Sequence, residues 1–224
     1  MKKRSFWRDN GLSLAALGFF LLCVAGQTLT GLNDHNNDQR LHHKSPDSLG
    51  DYLQSGDFYE ALFENWESEF LQMGAYIVLT SFLFQRGSSE SKDPDKEDES
   101  VDEDPQSQKD DSDVPGPVKV GGWRLTLYKR SLSSAFFAFF ALSFIGHAIG
   151  GAHAYSDELK SFGKAPVSTL QYMGSARFWF ESLQNWQSEF LAVFCIAVFS
   201  IKLREFGSPE SKPVAAPHSQ TGNG

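Results

Sequence analysis

The apolar stretch LSSAFFAFFALSFIGHAIGGA, residues 132–152, decides the fold class of this chain. It contains no Asp, Glu, Lys or Arg, and its roughly 20 residues match the length that a bilayer core requires of a helix. Phenylalanines cover nearly every face of such a helix, so only lipid or a large protein core could surround it. A stretch of the same kind occupies residues 12–32. Both stretches predict membrane-spanning helices.

The chain contains an internal repeat, whose spacing of 120 residues is the distance from Asn65 to Asn185. Residues 5–92 match their counterparts without gaps at about 31% identity, which indicates a duplication. We therefore predict a first two-helix membrane unit at 1–89 and a second at 123–212. An acidic disordered linker at 90–122 joins them, and a disordered tail follows at 213–224. The longest matching block pairs Asn65, Trp66, Ser68, Glu69, Phe70 and Leu71 with Asn185, Trp186, Ser188, Glu189, Phe190 and Leu191.

The second apolar segment of each unit is short. Residues 70–84 contain no charge, but about 15 residues reach only about 23 Å along a helix axis. The string Asp57-Phe58-Tyr59-Glu60 is typical of a capping box, so we expect this helix to begin upstream, near Phe58. Trp66 and its counterpart Trp186 would then lie at headgroup depth as interface anchors. The predicted fold is all-α and integral to the membrane, with four transmembrane helices in two tandem repeats.

Charge patterning sets the predicted orientation and excludes one class of partner. From Glu90 to Asp113 about 12 acidic residues stand against three lysines, so this segment accounts for the net charge of -8. No stripe of Lys and Arg exists, which excludes nucleic-acid binding. Cationic residues flank all four predicted helices on one side, so both termini and the linker are predicted to be cytoplasmic. These flanking residues are Lys2, Lys3, Arg4, Arg8, Arg86, Lys92, Arg124, Lys129, Arg130, Lys202, Arg204 and Lys212.

Two other interpretations of the apolar stretches are weaker. The first stretch resembles a signal peptide, but its internal copy at Leu132 cannot be one. A soluble four-helix bundle would have to bury phenylalanines on nearly every face of one helix. Glycines at Gly26–Gly31 and Gly146–Gly151 favour close helix packing, as in membrane bundles.

Polar residues inside or at the edge of the predicted spans are the candidate site. An ionisable group at membrane depth is energetically costly and therefore marks a functional position. Glu69 aligns with Glu189, and Gln27 aligns with His147. By predicted depth these four side chains lie in one outer-leaflet layer. The candidates for binding a ligand or a proton are Gln27, Asn65, Glu69, His147, Asn185 and Glu189.

Two functions remain open from these residues. The first is binding or transport of a small polar solute, a proton or a cation by the outer layer. The alternative is a structural or partner-recruiting membrane protein, in which Asn, Ser and Glu only satisfy backbone N–H groups at helix starts. No phosphate loop, nucleophile elbow or metal-ligand spacing occurs, so no enzyme activity, catalytic residue, cofactor or metal is predicted. The expected partners are the lipid bilayer, a second copy of the chain, and a protein that binds the acidic linker.

Two strings, Glu64–Gln72 and Arg86–Lys92, resemble a family of uncharacterised bacterial integral-membrane proteins, domain of unknown function 6766. The likeness covers both units. The second unit departs from the pattern, because Gln184 and Gln187 replace the acids at Glu64 and Glu67. The resemblance implies a bacterial cell (inner) membrane location and supplies no mechanism.

Overall fold

The computed structural model describes residues 6–96 and 100–222, and all regular secondary structure in that part is helical. Lys2, Lys3 and Arg4 of the predicted basic flank, and the acidic residues at 97–99, lie outside the described residues. A 3-10 helix occupies Pro105–Gln108. The α-helices are α1 (Phe6–Asp9), α2 (Gly11–Leu41), α3 (Leu49–Tyr52), α4 (Gly56–Leu79), α5 (Gly116–Val120), α6 (Gly122–Lys129), α7 (Ser131–Ser161), α8 (Thr169–Met173) and α9 (Ala176–Phe199).

Two of these helices, α2 and α7, are long and apolar enough to cross a membrane by length and composition. None of the 31 residues of α2 is buried, although its first two-thirds are almost wholly apolar. Leu12, for example, is 85% exposed. Protein does not cover this apolar surface, which favours contact with lipid. Both helices extend beyond their predicted apolar stretches, because the polar residues that follow contain no glycine or proline before Pro46 in the first case and Gly163 in the second.

Helices α4 and α9 do not meet the same criterion of length and apolarity. The first 14 residues of α4 carry four glutamates, so only the remainder of the helix is as apolar as a membrane core. The start of α4 also differs from the predicted capping box. The Ser55 hydroxyl accepts a hydrogen bond from the Phe58 N–H at 3.2 Å, and the Asp57 carboxylate bonds to His35 instead. The Asp57 carboxylate therefore bonds to His35 of α2 rather than to the first N–H groups of α4.

The described chain divides into two compact units, and neither coincides with one predicted repeat. Unit 1 consists of Met1–Phe63 and Gly146–Phe178, and unit 2 consists of Glu64–Ile145 and Trp179–Gly224. Each unit thus draws residues from both halves of the chain. The predicted boundaries at residues 89, 122 and 212 separate the two sequence repeats, the linker and the tail, and they stay a prediction.

Unit 1 is stabilised by aromatic side chains that pack directly against glycines. Tyr172 and Phe178 are fully buried, and their ring centroids lie 5.5 Å apart. A Cβ atom at Gly151 would lie 2.4 Å from the Tyr172 hydroxyl, so only glycine fits under this ring. The same arrangement places Tyr52 against Gly31, where a Cβ would lie 2.1 Å from the Tyr52 hydroxyl.

The start of α4 approaches α7 at backbone distance. A Cβ at Gly150 would lie 2.7 Å from the backbone nitrogen of Glu60, and one at Gly56 would lie 2.4 Å from that of Ala154. These distances confirm the predicted close packing at Gly150. Gly26 differs from the prediction, because nothing lies within 4 Å of a Cβ there.

Unit 2 combines an aromatic core with a polar region formed by loops. Phe70 stacks near Phe139 with centroids 5.2 Å apart, and Phe140 meets the Trp186 ring edge-on at 6.1 Å. The 3-10 helix and α5 fall within the predicted disordered linker, which is a difference from the prediction. The local reason for the 3-10 helix is a cap, since the Asp104 carboxylate accepts from the Gln106 N–H at 3.1 Å.

Candidate functional site

The residues predicted as one site belong to both compact units. Unit 1 contains Gln27 and His147. The Gln27 amide donates to the backbone carbonyl of Ala61 at 3.4 Å, so α2 uses it to reach α4. Unit 2 contains the remaining predicted residues, which are Asn65, Trp66, Glu69, Asn185, Trp186 and Glu189.

His147 lies in α7 and is fully buried in unit 1. Its imidazole stacks on the Phe178 ring with centroids 4.8 Å apart, and the Tyr172 ring meets it edge-on at 6.4 Å. Burying an ionisable side chain costs free energy unless other groups compensate for its lost hydration. The sequence predicted His147 as a site residue from its depth, and the structure places it in an enclosed aromatic pocket.

A carboxylate lies beside His147 in the same unit. Oxygen and nitrogen atoms of Glu60 and His147 that could bind a cation lie within 4.8 Å of one another. The Tyr172 hydroxyl donates to Glu60 Oε1 at 2.9 Å, which fixes the orientation of the carboxylate. An imidazole and a carboxylate at this separation can hold a small cation between them or exchange a proton through one water, with the tyrosine as a hydrogen-bond donor.

Unit 2 has its own pairs of polar residues between α4 and α9. The Asn185 amide donates to Glu64 Oε1, and the Trp186 indole N–H donates to Glu67 Oε1 at 3.2 Å. Glu67 is fully buried. Trp186 therefore bonds a carboxylate within the protein, and its role as an interface anchor stays a prediction.

The predicted acids Glu69 and Glu189 are less enclosed than the acids just described. Glu69 and Asn65 are exposed, whereas Glu189 and Trp66 are half-buried. Glu69 lies close enough to Glu189 for the two charges to interact. The structure thus brings these two together, while the buried carboxylate of this unit is Glu67.

Sequence reasoning missed the acids of α4 that face inward. Glu60, Glu64 and Glu67 lie four and then three residues apart, the spacing of one helix face. In the sequence, Phe58, Leu62, Trp66 and Phe70 recur every four residues, which predicts that this apolar row is the buried face and that the glutamates lie off it. The spacing of the glutamates was the signal that could have identified them.

A second polar cluster in unit 1 centres on His35, near the end of α2. His35 Nδ1 lies 2.6 Å from Asp57 Oδ2, and Nε2 lies 2.8 Å from Asp47 Oδ2. The Gln39 amide also donates to Asp47 Oδ2, at 3.3 Å. The hydrogen bond from His35 lowers the pKa of Asp47 below its usual value, against the opposing effect of burial. The imidazole is thus held between two carboxylates on separate segments.

The loop after α2 is tied back to the helix by a pair of hydrogen bonds. The Asn36 amide donates to the Asp47 carbonyl at 3.0 Å, and its oxygen accepts from the Asp47 N–H at 2.6 Å. Ser156 makes the same pair with Val167, at 3.2 and 3.1 Å. The backbone path of the loop is therefore fixed in the same way after α2 and after α7.

The residues 120 positions after the His35 cluster are chemically different. Tyr155 and Arg177 occupy the positions equivalent to His35 and Asp57. The Arg177 guanidinium lies 4.9 Å from the centroid of the Tyr155 ring, and it also bonds to Glu158. A cation–π contact between Arg177 and Tyr155 thus occupies the positions that are equivalent to the carboxylate of Asp57 and the imidazole of His35.

Loops of unit 2 enclose a lysine. Lys212 is buried, and its ammonium donates to the carbonyls of Gly87, His218 and Gln220, at 3.1 Å for His218 and 2.8 Å for Gln220. Burial lowers the pKa of Lys212, and the nearby charge of Arg204 adds to this effect. Residues 213–222 therefore pack on this lysine, which differs from the disordered tail predicted from composition.

A comparison with protein families identifies the chain. The model of a family described as a domain of unknown function, DUF6766, matches residues 3–223. The chain belongs to this family. The match covers both predicted repeats and the linker between them, so the resemblance inferred from the strings at Glu64–Gln72 and Arg86–Lys92 is confirmed. No curated protein and no solved structure matches the chain.

Membership in DUF6766 identifies the protein without assigning it an activity. The two apolar helices α2 and α7 give weak support for association with a membrane. The bacterial origin and the orientation of the termini stay predictions from sequence.

Proposed function

We propose that this DUF6766 protein is a multi-pass membrane protein that binds a proton or a small cation at His147 and Glu60. The observation that carries the proposal is the complete burial of His147 in an apolar helix, beside a carboxylate that Tyr172 orients. Ionisable groups in such helices are rare because they are costly, and they mark ion and proton pathways. The proposal assigns the protein binding or transport rather than enzyme activity.

The proposed architecture is four membrane spans in two tandem repeats. Helices α2 and α7 both have 31 residues, and α4 and α9 both have 24. Each pair is offset by the 120 residues that separate Asn65 from Asn185 in the sequence repeat. In both halves of the chain a tyrosine packs on a glycine of the long helix, and a side chain of that helix bonds the backbone of the loop that follows. These common contacts support the same duplication. An even number of spans places both termini and the linker on one side of the membrane. The cationic flanks predict that this side is the cytoplasm of a bacterial cell.

The proposed site is tested by proton flux into proteoliposomes that contain a pH-sensitive dye. We expect His147→Gln and Glu60→Gln each to reduce flux at least about tenfold, the factor that about 1.4 kcal/mol of barrier represents. Both substitutions keep the size of the side chain, and thermal unfolding would verify that each variant folds.

The matched control is Glu69→Gln, since Glu69 lies on the same helix but is exposed. It should leave the flux unchanged. Loss of flux in Glu69→Gln, with normal flux in the two site variants, would contradict the proposal. That result would favour the pair Glu69 and Glu189 instead. Native mass spectrometry of the same samples would show whether a second copy of the chain is bound, as we expect for so few spans.

The second candidate function is recruitment of a protein partner by the acidic linker. Arg86 pairs with Asp95, and Lys92 pairs with Asp102. Two acids near the start of the linker are therefore already in ion pairs. The acids further along remain exposed and available to a cationic partner. These exposed acids are Glu103, Asp104, Asp110, Asp111 and Asp113.

Deleting Asp93–Asp113 distinguishes the two functions. We expect the shortened protein to keep its proton flux, because the deletion removes none of the residues around His147. If the linker carries the function, the shortened protein should instead fail to complement a deletion strain while its flux stays normal. Complementation by the shortened form would exclude the recruiting role.

A further inference from the structure

The two carboxylates beside the His35 ring favour its doubly protonated form. Both ring nitrogens lie at hydrogen-bond distance from carboxylate oxygens, 2.6 Å to Asp57 and 2.8 Å to Asp47. An ionised carboxylate only accepts, and a neutral imidazole has a single N–H to donate. An imidazolium that donates from both nitrogens satisfies both carboxylates. Loss of its proton leaves one N–H and removes one of the two bonds, and the Gln39 amide, 3.3 Å from Nε2, can donate to that nitrogen when it is unprotonated.

The two carboxylates belong to segments that the imidazolium holds against α2. Asp47 lies in the loop before α3, and Asp57 lies in the first turn of α4. The His35 side chain is 11% exposed, so the bonds are only partly screened by water. The Tyr52 ring of α3 packs against it with centroids 5.4 Å apart. His35 is thus the common point of attachment for the loop, α3 and the start of α4.

Other charged and titratable groups surround the cluster. They come from α2 itself, from the loop, from α3 and from the segments of α7 and α9 that line the adjoining cavity of about 440 Å³. These groups are Asp34, Asp38 and His42 of α2, Lys44 of the loop, Tyr52 of α3, Asp157, Glu158 and Lys160 of α7, and Arg177 of α9.

We propose that His35 is a proton-operated latch that ties residues 44–57 to α2. The closed state binds one proton at His35 that an open state holds less tightly. Closure is therefore favoured at low pH and is lost as the pH rises past the titration of His35 in the closed state. Asp47 does not reverse this within the same range, because the hydrogen bond from His35 lowers its pKa and keeps it ionised in mild acid.

Hydrogen exchange of the full chain in lipid nanodiscs tests the latch. After correction for the intrinsic rate, we expect the protection of amides 44–57 to fall about tenfold between about pH 5 and pH 8, as loss of one charge-assisted bond implies. His35→Gln should have low protection at every pH. The matched control is His42→Gln, because His42 lies on the same helix with a more exposed side chain, and it should keep the wild-type profile.

Two results would overturn the proposal. One is protection of residues 44–57 that does not change with pH in the wild type, and the other is the same decrease in His35→Gln as in the wild type. If His35→Gln does not fold, Asp57→Asn decides the question. It removes one partner only and should reduce the dependence on pH, and an unchanged dependence in that variant would exclude the latch.

Discussion

Replacing Gly150 by leucine is expected to lower the free energy of unfolding by about 3 kcal/mol or more. A Cβ at this position would lie 2.7 Å from the Glu60 nitrogen and 2.8 Å from the Tyr59 Cβ. The backbone of α4 cannot move away without losing its packing on α7, and the carboxylate beside His147 would move with it. Thermal unfolding of the purified protein, followed by intrinsic tryptophan fluorescence, measures the effect.

The matched control for this substitution is Gly26→Leu. Gly26 is also a helix glycine, in α2, but a Cβ there would meet nothing within 4 Å. We expect that variant to unfold within about 0.5 kcal/mol of the wild type, as substitutions away from packed features do. Equal destabilisation by the two leucines would show that the α4–α7 approach does not set the stability of unit 1.

The substitution Lys212→Met is expected to destabilise unit 2 by about 2–4 kcal/mol. Methionine has a similar length but no donor, so the carbonyls of Gly87, His218 and Gln220 would lose their hydrogen bonds while buried. The segment 213–222 should then detach. Limited proteolysis of this segment, together with thermal unfolding, reports both changes.

Lys202→Met serves as the control for the lysine, because Lys202 lies just beyond α9 and is exposed. It should leave stability and proteolysis unchanged. A Lys212→Met variant with wild-type resistance to protease would mean that the tail is held by other bonds. The hydrogen bond that the Gly87 N–H donates to the Thr221 hydroxyl, at 2.9 Å, would then be the first to test.

The sequence predicted the helices well where composition alone determines them. The apolar stretches at 12–32 and 132–152 became α2 and α7, because no charged residue or helix breaker interrupts them. The ends were less predictable, since the polar continuation to Leu41 depends on contacts with the loop that follows. Asn36, for example, contributes to α2 by bonding the backbone of Asp47, which no local pattern indicates.

The candidate site was only partly accessible from the sequence. His147 was identified because an ionisable residue in an apolar stretch is costly and therefore conspicuous. Its neighbour Glu60 was not, because the contact depends on the angle at which α4 meets α7 at Gly150. No local pattern indicates the environment of His35, since both of its partners lie beyond the helix and approach it only after the loop has folded back.

The loop ties after α2 and α7 share one backbone path, yet the side chains they bring together differ in their response to acidity. Arg177 beside Tyr155 keeps its charge throughout the physiological range, so that contact has no proton to lose. His35 between its two carboxylates has one. In the proposed duplication, the two copies of this loop would therefore differ in one property: a rise in pH would release the loop after α2 and leave the loop after α7 in place.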